Sequence, residues 1–489
     1  MFSNNKQFLI LMEQTTIYDD RPVKQMLYPA VMFLIIGLFI GVFISYNGFL
    51  KPDAFAGEYI HFGRVRPVHV TVVTLLWLLS ANIGLMYYFV PRLCGRPLWS
   101  VKLATITSYI WWPALILGAF SLPLGTNFGW EYAELPKTLM GGLLPIKLLI
   151  AVAWVLFAIN MFMTITHRRH QQMYVSLWYV MGTLVWTTFT FIVGNFAIEW
   201  VPQGISRVNT SFFYVHNLVG LIFTPMGLAI AYYFVPKISG APIHSHRLSM
   251  IGFWSIAFVY AWIGAHHMLH GPESQWLQTT SIIFSMWLIV PVWTVVTNLL
   301  GTIKTQWDMY SKSAPLRFLT MGVVFYLIVC LQGSLQALRN VNEVISKTDW
   351  IIGHAHMSLL GTFTFFATGG VYYVIPRIAG KPLWSEKLAD LHFTLALTGS
   401  VVMFVALWVG GFQQGLMWAN WGTGDSYAQF HENVSRVPFL TTVAAMWWWW
   451  FARMMGGILI FAGSLVFVLN MMNTIILRQP EKALDQVTT

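Results

Sequence analysis

The sequence predicts an all-α polytopic membrane protein of about 12 spanning helices. Three observations carry that expectation. Hydrophobic residues make up 57% of the 489 and charged residues only 9%, where an ordinary soluble domain carries roughly 25% charged residues. The apolar residues gather in runs of about 20, the length that crosses a bilayer. The charges fall mainly in short loops between those runs.

The first six runs lie near 26–46, 67–91, 104–122, 143–166, 174–197 and 211–236. The second six lie near 249–270, 277–302, 316–338, 350–375, 389–411 and 452–476. No soluble domain interrupts them, so residues 1–489 read as one membrane domain with short tails at about 1–25 and 477–489. The longest loop is expected from about Gly411 to Phe451. Its closing run, Trp447–Trp450, suits a membrane–water interface, where Trp concentrates.

Loop charge predicts orientation. Arg92, Arg96, Lys102, Arg168, Arg169, Lys237, Arg247, Lys304, Lys312, Arg317, Arg377, Lys381 and Lys387 all fall on the side of the N-terminus. Glu131, Glu134, Glu199, Glu273, Asp425 and Glu432 fall on the other. By the positive-inside rule both termini are cytoplasmic, and even-numbered spans run from outside to inside. This placement also argues against nucleic acid as the reason for the net charge of +10, because no basic patch or run forms. The N-terminus shows no signal-peptide pattern. The two cysteines, Cys94 and Cys330, exclude a disulfide framework, and no Cys-x-x-Cys-His occurs to attach a c-type haem. A weak internal echo joins Tyr87-Tyr88-Phe89-Val90-Pro91-Arg92, Tyr232-Tyr233-Phe234-Val235-Pro236-Lys237 and Tyr372-Tyr373-Val374-Ile375-Pro376-Arg377. Such endings also arise from aromatic belts and proline stops.

The chemistry lies in the histidines. His354 and His356 open span ten, and residues two apart on a helix point roughly 200° away from each other. They therefore face two different neighbours. His69, His216, His266 and His267 come from spans two, six and seven, and all six fall near the outer face. Intramembrane imidazoles are tolerated where they are paired, metal-bound or facing a cavity. Six at one depth point to a metal centre, and imidazole is a common ligand of haem iron and of copper. His69 and His356 can make a bis-imidazole haem. His354 can be the single axial ligand of a second haem, which leaves His216, His266 and His267 as a three-imidazole site suited to copper. Adjacent histidines diverge by about 100° on a helix, so His266 and His267 share one metal only if the helix is distorted there. An open haem iron facing a three-His copper is an arrangement that reduces dioxygen.

The segments Gly63-Arg64-Val65-Arg66-Pro67-Val68-His69, Tyr214-Val215-His216-Asn217, Tyr260-Ala261-Trp262-Ile263-Gly264-Ala265-His266-His267, Asp349-Trp350-Ile351-Ile352-Gly353-His354-Ala355-His356 and Gln414-Gly415-Leu416-Met417-Trp418 span nearly the whole chain. In them the sequence resembles subunit I of the haem-copper oxidases, most of all the cbb3-type (C-family) cytochrome c oxidases and their CcoN-like catalytic subunit. The resemblance implies the haem-copper oxidase subunit I fold. It also implies low-spin haem b on His69 and His356, high-spin haem b3 on His354, and copper B on His216, His266 and His267. It suggests a covalent link from Tyr260 to His216. A proton path resembling the family's would run through Ser249, Tyr232 and Tyr260, with Ser249 and Tyr260 roughly 16 Å apart along one helix. Arg66 and Arg453, the latter at the outer mouth of span twelve, are candidates to hold haem propionates.

One departure stands out. Gln332-Gly333 occupies a place where Glu-Gly is expected, which puts in doubt the tuning of haem b3 that a carboxylate would give. The implied activity is reduction of dioxygen to water in a bacterial inner membrane. Electrons would come from cytochrome c through partner subunits carrying c-type haems, with proton uptake and pumping. A nitric oxide reductase shares the six histidines but wants a carboxylate one turn after the first copper-site histidine, where this chain has Gly220. A non-redox membrane transporter would carry no haem, which a visible absorption spectrum decides.

Overall fold

The computed structural model describes residues 17–52, 54–126, 135–419 and 439–477. Most of both tails lies outside them, as do Glu131, Glu134, Asp425 and Glu432. Twelve helices are long and apolar enough to cross a membrane. Spans one to four are Arg21–Leu50, Phe62–Cys94, Val101–Leu124 and Ile146–Thr166. Spans five to eight are Val175–Trp200, Ile205–Ser239, His246–Met268 and Gln275–Ile303, and spans nine to twelve are Ala314–Gln336, Asp349–Ala379, Glu386–Ala419 and Phe439–Ile476.

Two expectations fail at the end of the chain. Span eleven runs on to Ala419 and span twelve begins at Phe439, so the expected loop from Gly411 to Phe451 contracts to residues 420–438, outside the described residues. Trp447–Trp450 are helical, because Trp packs and propagates a helix once its neighbours are apolar. They divide by face: Trp448 is 71% exposed and Trp450 only 9%. Trp450 Nε1 donates to Asp349 Oδ2 at 2.7 Å, which ties span twelve to the start of span ten. Arg453 lies fourteen residues after Phe439, the first residue of this helix.

The weak echo at the ends of spans two, six and ten belongs to a fuller threefold repeat. After each ending, a glycine in the left-handed region (Gly95, Gly240, Gly380; φ 62°, 68°, 64°) closes the helix. Gly-x-Pro-x-x-Ser then leads into the next span, and Ser100, Ser245 and Ser385 accept from backbone N–H groups in its first turn. A buried asparagine from the span after grips that same serine's backbone. Asn160 accepts from Ser100 N at 3.0 Å and donates to its carbonyl at 2.8 Å. Asn298 does so on Ser245 at 2.8 and 2.9 Å, and Asn470 on Ser385 at 3.0 and 2.8 Å. One turn on, Thr164, Thr302 and Thr474 each accept the N–H of the residue preceding that serine at 3.0 Å. The loop backbone is thus satisfied inside apolar surroundings, where an unpaired group would be costly.

Spans two, six and ten are the most buried, with 83%, 94% and 83% of their apolar stretches enclosed, so they form the centre of the bundle. Each contains a wide π-helical stretch: Val72–Leu79, Leu218–Phe223 and Met357–Thr364. These begin within three residues of His69, His216 and His356. Hydroxyls of Ser80, Thr224 and Thr362 donate to carbonyls five residues back, at 2.8, 3.0 and 3.3 Å, and so satisfy acceptors that the widened turns release. π-Turns re-aim the residues beside them, and here they adjoin the histidines of all three central spans.

Candidate metal centre

His216, His266 and His267 bring one ligand atom each within 4.8 Å of one another. Span seven makes this possible by changing its winding. It is α-helical from His246 to Val259 and then tightens into 3-10 turns at Tyr260–Trp262 and Gly264–Met268. With that distortion the adjacent His266 and His267 rings lie 4.3 Å apart centre to centre, and 4.9 and 5.4 Å from His216.

Hydrogen bonding fixes the state of His266. Ser285 donates its only hydroxyl proton to the Ser281 carbonyl at 2.6 Å, so it accepts from His266 Nδ1–H at 2.8 Å. His266 Nε2 is left as a buried lone pair with no partner among the described residues, and His216 Nδ1 is likewise buried and unpaired. Buried polar atoms without partners are rare. Two of them, aimed into one group of three imidazoles, form a donor set for a cation that prefers nitrogen.

Tyr260 closes one side. Its ring stacks on His216 with centres 4.8 Å apart and planes 28° apart. It occupies the space above Gly220, where a Cβ would lie 1.6 Å from Tyr260 Cε1. Any side chain at position 220, a carboxylate included, is incompatible with this tyrosine position. The same enclosed space is lined by Tyr326, Cys330, Gly333 and His354.

His354 faces this space, and its Nδ1 lies 3.4 Å from Gln332 Oε1. His356, two residues on, faces the other way, towards His69, with ring centres 6.5 Å apart and planes 21° apart. Both rings donate Nδ1–H to backbone carbonyls at 2.8 Å: His69 to Gly37 and His356 to Ile352. Their Nε2 lone pairs are therefore free to face each other. His69 reaches Gly37 because span one presents Gly37 and Gly41 to it, and a Cβ on Gly41 would lie 2.7 Å from His69 Cε1. Sequence reasoning missed this glycine pair, although its Gly-x-x-x-Gly spacing is a signal for close helix approach. Arg453 is buried nearby, with its guanidinium carbon 4.5 Å from the Phe49 ring centre and Nη1 unpartnered among the described residues. Arg66 is half-buried in the first turns of span two.

Towards the face of the chain termini, Ser249 accepts from Asn298 Nδ2 at 2.8 Å and donates to the Ser245 carbonyl at 3.2 Å. The fully buried Tyr232 hydroxyl lies beside the same Ser249 and Asn298. Sequence reasoning also missed Asn298 and Ser285. Asn298 carries a signal, the Asn-x-x-x-Thr spacing that recurs in spans four, eight and twelve. Ser285 carries none, since a lone serine in an apolar helix is ordinary.

Residues 21–459 match the family described as Cytochrome C and Quinol oxidase polypeptide I. The chain is 32% identical over 477 residues to the Cbb3-type cytochrome c oxidase subunit CcoN1 of Stutzerimonas stutzeri, covering 95% of this chain and 97% of that one. It is 30% identical to a cytochrome c oxidase subunit 1 homolog of Agrobacterium tumefaciens (strain T37), covering 96% of this chain and 86% of that one. Its fold matches a solved heme-copper terminal oxidase with a TM-score of 0.73 at 16% identity, over 94% of this chain and 84% of that one. With that identity maintained along almost its whole length, the chain belongs to the cytochrome c and quinol oxidase polypeptide I family, as a cbb3-type haem-copper oxidase subunit I.

Proposed function

We propose that this chain is the catalytic subunit of a terminal respiratory oxidase that reduces dioxygen to water between a haem b3 and copper B. Electrons would reach it from cytochrome c through partner subunits bearing c-type haems. The observation that carries this reading is Tyr260 stacked on His216 and filling the space over Gly220. A nitric oxide reductase needs a carboxylate where that ring lies, and a non-redox transporter has no use for three imidazoles with inward lone pairs.

The residues fit the groups assigned to them. Metal–imidazole bonds run about 2.0–2.1 Å, so with about 1.1 Å more to each ring centre, two imidazoles across one ion have centres about 6.3 Å apart. His69 and His356, at 6.5 Å, match a low-spin haem b. His354 faces the three-imidazole space with one free nitrogen and is assigned to haem b3. His216, His266 and His267 are assigned to copper B, and the orphaned nitrogens of His216 and His266 support that. Arg453, buried with an unpaired Nη1, suits one haem propionate, and Arg66 another.

Bound haem and copper supply the electrons and the dioxygen-binding metals. The chain's own residues do the rest. Tyr260 holds a transferable proton at its hydroxyl within the same enclosed space, and its nearness to His216 supports a covalent bond between the two. That bond would replace one ring C–H and one imidazole N–H and pass the two electrons and two protons to the dioxygen substrate. Ser285 fixes the His266 tautomer, and Gln332 orients His354. Ser249, Asn298 and Tyr232 form the cytoplasmic start of a proton path towards Tyr260, serving both uptake and pumping. We read the whole of 1–489 as one domain of a bacterial inner-membrane protein with both termini cytoplasmic. Reduced-minus-oxidised spectra and metal analysis of the isolated complex test the assignment. Two b haems and one copper per chain are expected, and a chain without copper would overturn it.

A further inference from the structure

Beyond the metal centre, on the face opposite the chain termini, lies a buried polar chain that no step above uses. Gln336 is one helical turn past Gln332 on the same face of span nine. It is 2% exposed, and both ends of its carboxamide lack a partner among the described residues. Asn342, 3% exposed, donates from Nδ2 to the Gln336 carbonyl at 2.9 Å and to the carbonyl of His266 at 3.3 Å, while its Oδ1 is unpaired. The next links lead outward. Arg339 Nη1 donates to Gln278 Oε1 at 3.0 Å, and Gln278 Nε2 donates to the Glu273 carbonyl at 3.0 Å. Glu273 is 7% exposed, with Oε2 unpaired, in the loop after span seven.

Four unpaired buried polar atoms, on Gln336, Asn342 and Glu273, call for partners that the described residues do not supply. Buried water characteristically satisfies such groups, each molecule bonding to two to four of them. We propose that Gln336, Asn342 and Glu273 bind a file of water molecules that is the exit for product water. It starts at the backbone of His266 and one turn above Gln332, and ends at the loop between spans seven and eight. The proposal rests on the dioxygen-reducing reading, whose product is water formed beside His266. Carboxamides suit such a file, since they donate and accept, carry no charge, and pass water on without holding it.

The decisive experiment uses the assembled oxidase. Closing the exit slows release and leaves the encounter with dioxygen untouched. Gln336→Leu should therefore lower kcat about fivefold or more and lower the KM for dioxygen by the same factor, keeping kcat/KM unchanged. Gln336→Asn should stay near wild type. Unchanged kcat in Gln336→Leu, or kcat/KM falling with kcat, overturns the exit. If that variant does not assemble, a high-resolution map of the wild-type complex decides. Water is expected within hydrogen-bonding distance of the Gln336 and Asn342 carboxamides and Glu273 Oε2, and finding them paired with residues 420–438 or another subunit overturns the proposal. Missing haem or copper in the wild type would overturn the oxidase reading itself, whereas full metal content with no kinetic effect overturns only the exit.

Discussion

The carboxamide oxygen of Gln332 lies 3.4 Å from Nδ1 of His354, the imidazole that faces the three-histidine space. The contact makes Gln332 the acceptor for His354 Nδ1–H, and an amide accepts without contributing charge. Gln332→Glu adds a buried negative charge beside the assigned haem b3 ligand, which favours the oxidised haem. Its reduction potential should fall by about 60 mV or more, a tenfold shift for one electron, and should become pH-dependent. The low-spin haem should change little. Redox titration of both haems across several pH values checks this, and an unchanged haem b3 potential would return Gln332 to a packing role.

The two faces of span ten predict separable spectral losses. His69→Ala or His356→Ala should each remove the low-spin haem signal, since six-coordination needs both rings. His354→Ala should instead abolish carbon monoxide binding and leave the low-spin signal in place. A low-spin spectrum that survives both of the first two substitutions would refute the pairing.

Tyr260→Phe should retain both haems and lose nearly all dioxygen reduction. Peptide mapping of the wild type should recover a segment around His216 joined to one around Tyr260, and separate unmodified peptides in active enzyme would exclude the bond. Gly220→Ala offers an independent probe. Its Cβ would overlap the Tyr260 ring, so it should displace the tyrosine and lower the yield of joined peptide even though no redox group is changed.

The threefold clamp separates stability from transport. Asn160→Ala leaves the Ser100 N–H unpaired, while the Ser100 carbonyl keeps the Ala104 N–H, at a cost of about 1–3 kcal/mol. Thermal unfolding should shift down while turnover per assembled enzyme holds. Asn298→Ala loses the same clamp and also the bond to Ser249, so both stability and turnover should fall. Equal turnover in the two variants would remove Asn298 from the proton path.

What could be read from the sequence was set by density of signal. Twelve apolar runs and six histidines at one depth each repeat a message many times, so errors at single positions do not matter. The start of span twelve was misplaced because Trp447–Trp450 suits an interface, and an interface position does not exclude a helix, which here begins at Phe439. The distortion that joins His266 to His267 was required by the chemistry, but its form was not legible, because 3-10 winding depends on what packs around it. The clamps were written plainly in Asn-x-x-x-Thr and Gly-x-Pro-x-x-Ser, yet each half gains meaning only from the other, some 53 to 85 residues away.

Those separations set an order of assembly. Each clamp joins neighbouring spans and closes as soon as the second leaves the ribosome, whereas His69 waits for His356, after ten spans have been made. Two of the three clamps are thus closed before the haem sites exist, the third, Ser385 with Asn470, closes with span twelve, and none of them needs a cofactor. Chain made in haem-starved cells should accordingly be inserted and resist proteolysis at 95–100, 240–245 and 380–385, and rapid cleavage there would mean that haem builds the frame it occupies.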